Sequence, residues 1–237
     1  MKNFIAHSEE ERQEMLNAIS CSSVDDLFKN LPVKMTELKL DNPLSEMQAQ
    51  KKVKAIAKKN NIDYVSFLGG GVYNKFIPAA ITQVAQRFEF LTAYTPYQPE
   101  ISQGTLQVMY EFQSMICRLT GMDVSNASVY DGASACAEAL SMAVRLKKKS
   151  KVLVSKTLNP EYKQVITTYM WAANIEVEWF ETLPKNIADY SAVLVQNPDF
   201  YGEIIDLPNV ETLLIVCTRL SALSVIKPPV EADIVVG

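Results

Sequence analysis

An α/β protein is predicted here, with an all-helical lead-in over residues 1–60 and a mainly parallel sheet within residues 61–237. Three observations carry that prediction. Short runs rich in Val, Ile and Leu recur after residue 150, as "KVLVS", "IEVEWF", "AVLVQ", "LLIVCT" and "DIVV". The helix-forming stretch "NPEYKQVITTYMWAAN" stands between the first two. Strand runs alternating with helices or crossovers make a parallel sheet covered on both faces. The first sixty residues hold helix caps instead.

In chain order, Ser8 and Glu11 form a capping box before "EERQEMLNAI", and Ser45 and Gln48 form another before "MQAQKKVKAIAKKN". Between them "SSVDDLFKNLP" is a short helix stopped by Pro32. Residues Leu31 to Asn42 have no strong period and are expected to wrap over another surface. "YVSFLGGGVYNKFIPAAITQVAQRF" then gives a short strand, three glycines, a loop, and a helix with Pro78 in its first turn. "TLQVMYEFQSMICRLTG" is helical, with Leu106, Met109, Phe112, Ile116 and Leu119 at core spacing and Gly121 at the C-cap. A turn at Asp131-Gly132 opens a helix rich in small residues, able to approach a neighbour closely. In the alternating part, Asn159 caps a helix that has Pro160 at its first position. Ligands of parallel sheets bind outside the carboxyl ends of the strands, so the loops to watch are "SKTLNP", "QNPDFYG" and "CTRLSA".

Composition narrows the function classes. The 237 residues are 48% hydrophobic and 21% charged, which is globular, and the net charge of −4 gives nucleic acid no electrostatic footprint. The one basic run, Arg145 to Lys151, reads as a solvated helix end facing the negative end of the dipole. No apolar stretch approaches the roughly 18 residues a membrane span needs. The start "MKNFIAHSEEERQEML" turns acidic at once, unlike a secretory or mitochondrial signal, so the cytoplasm is expected. The four cysteines, Cys21, Cys117, Cys136 and Cys217, form no C-x-x-C pair, which argues against zinc and dithiol redox chemistry. Cys136 reads as a small core residue, with a nucleophile as the alternative. A lone histidine, His7, removes histidine metal clusters and a histidine-based triad. The chain closes on "EADIVVG", an apolar strand with no helix after it. An edge left so would invite aggregation, and a longer parent protein is the expectation.

Three stretches could carry chemistry. "FLGGGVY" follows a strand and could cradle a phosphate, or simply make a tight turn; it fits neither G-x-G-x-x-G nor the P-loop. "YDGASA" opens a helix, where free N–H groups can hold an anion, or it is an ordinary helix start. The segment Thr92 to Gly104 is aromatic and hydroxyl-rich, with Tyr94 and Tyr97 held by Pro96 and Pro99. Such a loop is a recognition surface for a ligand or a partner subunit.

The stretches "GGGVYNKFIP", "RFEFLTAYTPYQPEISQGTLQVMYEFQSMICRLTGMDVSNASVYDGASACAEA", "VQNPDFYG" and "ADIVVG" resemble the glycine decarboxylase (P-protein) family of the glycine cleavage system. Within that family they are most similar to the N-terminal subunit 1 of the two-subunit bacterial form. The resemblance is densest from about residue 68 to 138, and "NFIAHSEEERQEML" and "SSVDDLF" share it. It implies a pyridoxal-phosphate transferase type I fold, aspartate-aminotransferase-like, of which residues 61–237 would be the N-terminal part of the large domain. It implies decarboxylation of glycine, with transfer of the aminomethyl group to the lipoyl arm of the H-protein. It further implies a sister subunit 2 carrying the lysine that holds pyridoxal phosphate, with which this chain would form a heterotetramer. This chain would lend Tyr94 and Tyr97 to the active site as catalytic residues. Tyr73, Asn74, Thr92, Thr95, Glu100, Ser102 and Gln103 would line the substrate or the subunit interface. One residue departs from the family pattern: Lys75 stands after "Y-N", where histidine is usual. Two alternatives remain open, a self-sufficient pyridoxal-phosphate enzyme with its lysine beyond residue 237 and a non-catalytic scaffold for the sister subunit.

Overall fold

The computed structural model describes residues 6–32, 40–69, 73–91 and 94–237. Most of the aperiodic segment from Leu31 to Asn42 lies outside the described residues. The chain divides into two units, Met1–Phe67 and Leu68–Gly237.

Capping chemistry sets the helices of the first unit. Helix α1 (Glu9–Ala18) starts where the Glu11 amide donates to the Ser8 hydroxyl (3.2 Å) and the Ser8 amide donates to the Glu11 carboxylate (2.7 Å). Helix α2 (Glu46–Ala57) repeats the device with Ser45 and Gln48. A 3-10 turn over Val24–Phe28 lies between them and ends ahead of Pro32. The short strand expected at "YVSF" does not form. Tyr64, Val65 and Phe67 are exposed and lie in no strand among the described residues, so apolar β-prone residues alone were not enough to make one.

The second unit begins with helices α3 (Ala79–Ala85) and α4 (Phe88–Leu91), which split the single helix expected after Pro78. Helix α5 (Pro99–Thr120) starts six residues before the expected "TLQVMY". Pro99 occupies its first position, where a missing N–H costs nothing, and Glu100 meets the positive dipole end. Residues 99–104 are therefore helix and not loop. The apolar positions of α5 are less buried than their core spacing implies: Phe112 and Leu119 are exposed, and only Thr120 is buried. Gly121 closes the helix with φ +77°, and a Cβ there would lie 2.5 Å from Cγ1 of Val230. Gly121→Ala should therefore lower the unfolding free energy by about 1–3 kcal/mol in chemical denaturation, through left-handed strain and the displaced valine.

Helix α6 (Gly132–Lys147), strand β1 (Lys151–Ser155), helix α7 (Pro160–Ala172) and strands β2 (Glu176–Phe180), β3 (Ala192–Gln196), β4 (Leu213–Cys217) and β5 (Ile234–Val236) follow. The sheet order is β2-β1-β3-β4-β5, and every neighbouring pair is parallel. Side-chain alternation sorts the strands onto two faces. Val152, Val154, Leu194, Ile215 and Cys217 pack with Leu140 and Ala143 of α6 and with Ile166 and Met170 of α7. The small residues of α6 let it lie close to the sheet.

Leu153, Val193, Val195, Leu214 and Val216 face the other way. Leu183, Ile187, Tyr190, Ile205, Leu207 and Val210 of the strand connections cover them, together with Phe180 at the end of β2. Both faces are thus covered, one of them by irregular chain. The basic run ends α6 as expected: Arg145 and Lys147 sit in its last turn, and Lys151 pairs with Glu176 at 3.0 Å.

Candidate functional site

The topology places the site. Strand β2 lies on one side of β1 and strand β3 on the other, so the chain changes direction between β1 and β3. A crevice opens outside the carboxyl ends of strands at such a point. Helix α6 leads directly into the amino end of β1, so its own N-terminus lies over the carboxyl ends. Helix α7 starts five residues after β1 ends, so its first turn lies there too.

Each helix start is built from its own sequence. Asp131 caps α6: its Oδ1 accepts from the Ser134 amide at 2.7 Å and from the Ser134 hydroxyl at 2.5 Å. The hydroxyl, then the amides of Ser134 and Ala133, hold the Asp131 carboxyl below the usual carboxylate range. Asn159 caps α7 through the Glu161 amide (2.8 Å), and its own amide donates to Gln196 at the end of β3 (2.9 Å). From the first turn of α7, Tyr162 reaches the start of α6. A Cβ placed on Gly132 would lie 2.5 Å from the Tyr162 hydroxyl oxygen and 3.0 Å from its Cζ. Burial pushes the Tyr162 hydroxyl pKa up, and the neighbouring Arg219 opposes that rise.

Of the three loops flagged after strands, "CTRLSA" meets the predicted site residues. The Arg219 guanidinium lies over the ring of Tyr73, 4.6 Å from its centroid, and Lys75 Nζ donates to the Ser221 hydroxyl at 3.2 Å. The loop "QNPDFYG" is held by its own polar groups and is tied to the loop after β1, where the Phe200 amide donates to the Thr157 carbonyl at 3.0 Å. Asp199 accepts from the amides of Tyr201 and Glu203 (both 2.9 Å), and Asn197 accepts from Ile205 (3.2 Å). Its buried polar groups hold a turn.

Tyr94 and Tyr97, the predicted catalytic pair, stand in solvent at 87% and 80% exposure. The Tyr97 amide donates to the Thr95 carbonyl at 2.9 Å, a tight turn around Pro96. Glu100, Ser102 and Gln103 belong to the first turns of α5, and Gln103 donates to the Glu100 carbonyl at 3.5 Å. A shallow groove of about 550 Å³ runs along Pro99, Glu100, Gln103, Leu106, Gln107 and Tyr110. Asn74 is exposed. Thr92 lies outside the described residues, as do Gly70, Gly71 and Val72 of the glycine loop.

Cys136 is wholly buried, and both its hydrogen bond with Cys217 and its burial push the thiol pKa up. It is a core group and a poor nucleophile. No cluster of metal-ligating side chains occurs among the described residues, and no described helix is long and apolar enough to cross a membrane. Sequence reasoning missed Tyr162, Arg219 and the Asp131 cap. The D-x-x-S spacing of Asp131 and Ser134 could have shown the last.

A family model described as "Glycine cleavage system P-protein" matches residues 2–237. This chain belongs to the P-protein family. It is 44% identical to the "Probable glycine dehydrogenase (decarboxylating) subunit 1" of Desulforamulus reducens, over 99% of this chain and 58% of that protein. It is 42% identical to the protein of the same name from Thermotoga maritima, over 99% of this chain and 57% of that protein. The crystal structure of a glycine decarboxylase (P-protein) of the glycine cleavage system, in inhibitor-bound form, superposes with a TM-score of 0.84 at 39% identity. That match covers 98% of this chain and 57% of the solved one. The chain therefore spans somewhat more than half the length of its relatives. The α/β architecture is that of the pyridoxal-phosphate transferases, and the P-protein family depends on that cofactor.

Proposed function

We propose that this chain is subunit 1 of a two-subunit glycine decarboxylase of the cytoplasm. With a sister subunit 2 it would remove the carboxyl group of glycine and pass the aminomethyl group to the lipoyl arm of the H-protein. The observation that supports this is the 41–44% identity, across essentially the whole chain, to proteins named as subunit 1 of that enzyme. Pyridoxal phosphate, held by the sister subunit, supplies the sink for the electron pair released as carbon dioxide leaves.

The residues of this chain bind and orient. Tyr94 and Tyr97 project from a proline-stiffened turn with both hydroxyls free for a partner's cavity, where either can donate to the carboxylate of glycine. Tyr73, Asn74 and Thr95 border the same substrate or the sister surface, and Glu100, Ser102 and Gln103 border it from the start of α5. Arg219 steadies Tyr73 by lying over its ring. Lys75, two residues after Tyr73, is tethered to Ser221 of the same loop as Arg219.

Borohydride reduction of the co-expressed complex with pyridoxal phosphate, followed by peptide mapping, tests the division of labour. One stoichiometric lysine adduct is expected on the sister subunit. A stoichiometric adduct at a single lysine of this chain would contradict the proposal; scattered surface labelling of both chains would not.

A further inference from the structure

We infer that the crevice of this chain at the carboxyl ends of β1 and β3 is closed to a phosphate group, because Asp131 and Tyr162 occupy the N-terminus of α6. The inference rests on the family reading, in which a phosphorylated cofactor serves the enzyme, and it assigns the exclusion to two residues.

A helix start binds phosphate through free backbone N–H groups and the positive end of its dipole. Here a carboxylate already takes the Ser134 amide at 2.7 Å and is reinforced by the Ser134 hydroxyl at 2.5 Å. A phosphate would compete with a fixed negative charge for the same donors. Approach over Gly132 is blocked as well. This first helical residue lacks a side chain, and such a bare backbone is what a phosphate needs for close approach. The Tyr162 hydroxyl fills that space, 2.5 Å from where a Cβ would stand.

Tyr162 is held in place, since its ring packs on the core shared by α6, α7 and the sheet. The other helix start in the crevice is also taken, with Asn159 capping α7 and Gln196 accepting its amide. The Thr218 hydroxyl, buried and without a hydrogen-bond partner among the described residues, gives no opening. Strand alternation puts Thr218 on the face of Val216, away from Cys217 and α6.

The test is an amide-resolved NMR titration of the full chain with inorganic phosphate and, separately, with pyridoxal phosphate. The variants are Asp131→Ser, which keeps a capping hydroxyl and removes the charge, and Asp131→Ser combined with Tyr162→Ala. In the natural chain the amides of Gly132, Ala133 and Ser134 should not shift. In Asp131→Ser, with Tyr162 still over Gly132, only the Ala133 and Ser134 amides should shift on addition of phosphate, with affinity at least about tenfold above the natural chain, as expected for an anion at a helix start freed of its carboxylate. The double variant should bind more tightly still and accept pyridoxal phosphate. Saturable shifts at these amides in the natural chain would overturn the inference, and so would silence in a folded Asp131→Ser variant. If the double variant unfolds, the single one decides. Phosphate binding by the natural chain would leave the proposed function standing, whereas loss of that function would leave this closure standing.

Discussion

Truncating Leu140 to alanine should lower the unfolding free energy by about 2–5 kcal/mol, a large part of the 5–15 kcal/mol typical of a domain. Leu140 is wholly buried on α6, in the cluster that joins α6 and α7 to β1, β3 and β4. Its loss leaves a cavity at the contact that sets α6 against the strands, and hence the position of Asp131 at the crevice. Leu146, on the same helix but 64% exposed, is the control. Its alanine variant should stay within about 0.5 kcal/mol of the natural chain. Urea denaturation of both reads the contrast directly, and equal effects would mean that α6 is not docked on the sheet.

Replacing Tyr94 or Tyr97 with phenylalanine should slow exchange of carbon dioxide into glycine by roughly 10- to 150-fold in the assembled enzyme. Each change keeps the ring and deletes a hydroxyl. A hydrogen bond to a charged group contributes about 1.5–3 kcal/mol, and a contact felt in the transition state converts to that range of rates. Assembly with the sister subunit should be unchanged, because the ring area that packs an interface is intact. Normal assembly with near-normal exchange in both variants would show that the rings only pack between subunits. The exposure of both side chains in the isolated chain suits either outcome, so the hydroxyl deletion separates them.

Much of the sheet was legible in the sequence, because buried parallel strands read as unbroken aliphatic runs. "KVLVS", "AVLVQ" and "LLIVCT" become β1, β3 and β4 almost residue for residue. The capped helices were equally legible, since a Ser and a Glu or Gln three apart hold one another locally. The strand expected at "YVSF" does not form: Tyr64, Val65 and Phe67 stay exposed, and β-prone side chains alone do not make a strand. Helix α5 began early at Pro99, a signal present in the sequence but outweighed there by the aromatic and proline content around it. What spacing could not reveal is tertiary. Tyr162 over Gly132 and Arg219 over Tyr73 join residues far apart in the chain, and only the packing of α6, α7 and the β4 loop brings them together. Read alone, "YDGASA" left an anion site and an ordinary helix start both open; the fold shows a helix start holding its own carboxylate.

The central claim is that this chain is one half of a glycine-decarboxylating enzyme and inactive by itself. Isotopic exchange of carbon dioxide into the carboxyl group of glycine, measured with H-protein present, tests it most directly. The assay needs this chain alone, the sister subunit alone, and the two co-expressed. Exchange is expected only from the co-expressed pair. Exchange catalysed by this chain alone, or its absence from a fully assembled pair loaded with pyridoxal phosphate, would contradict the claim.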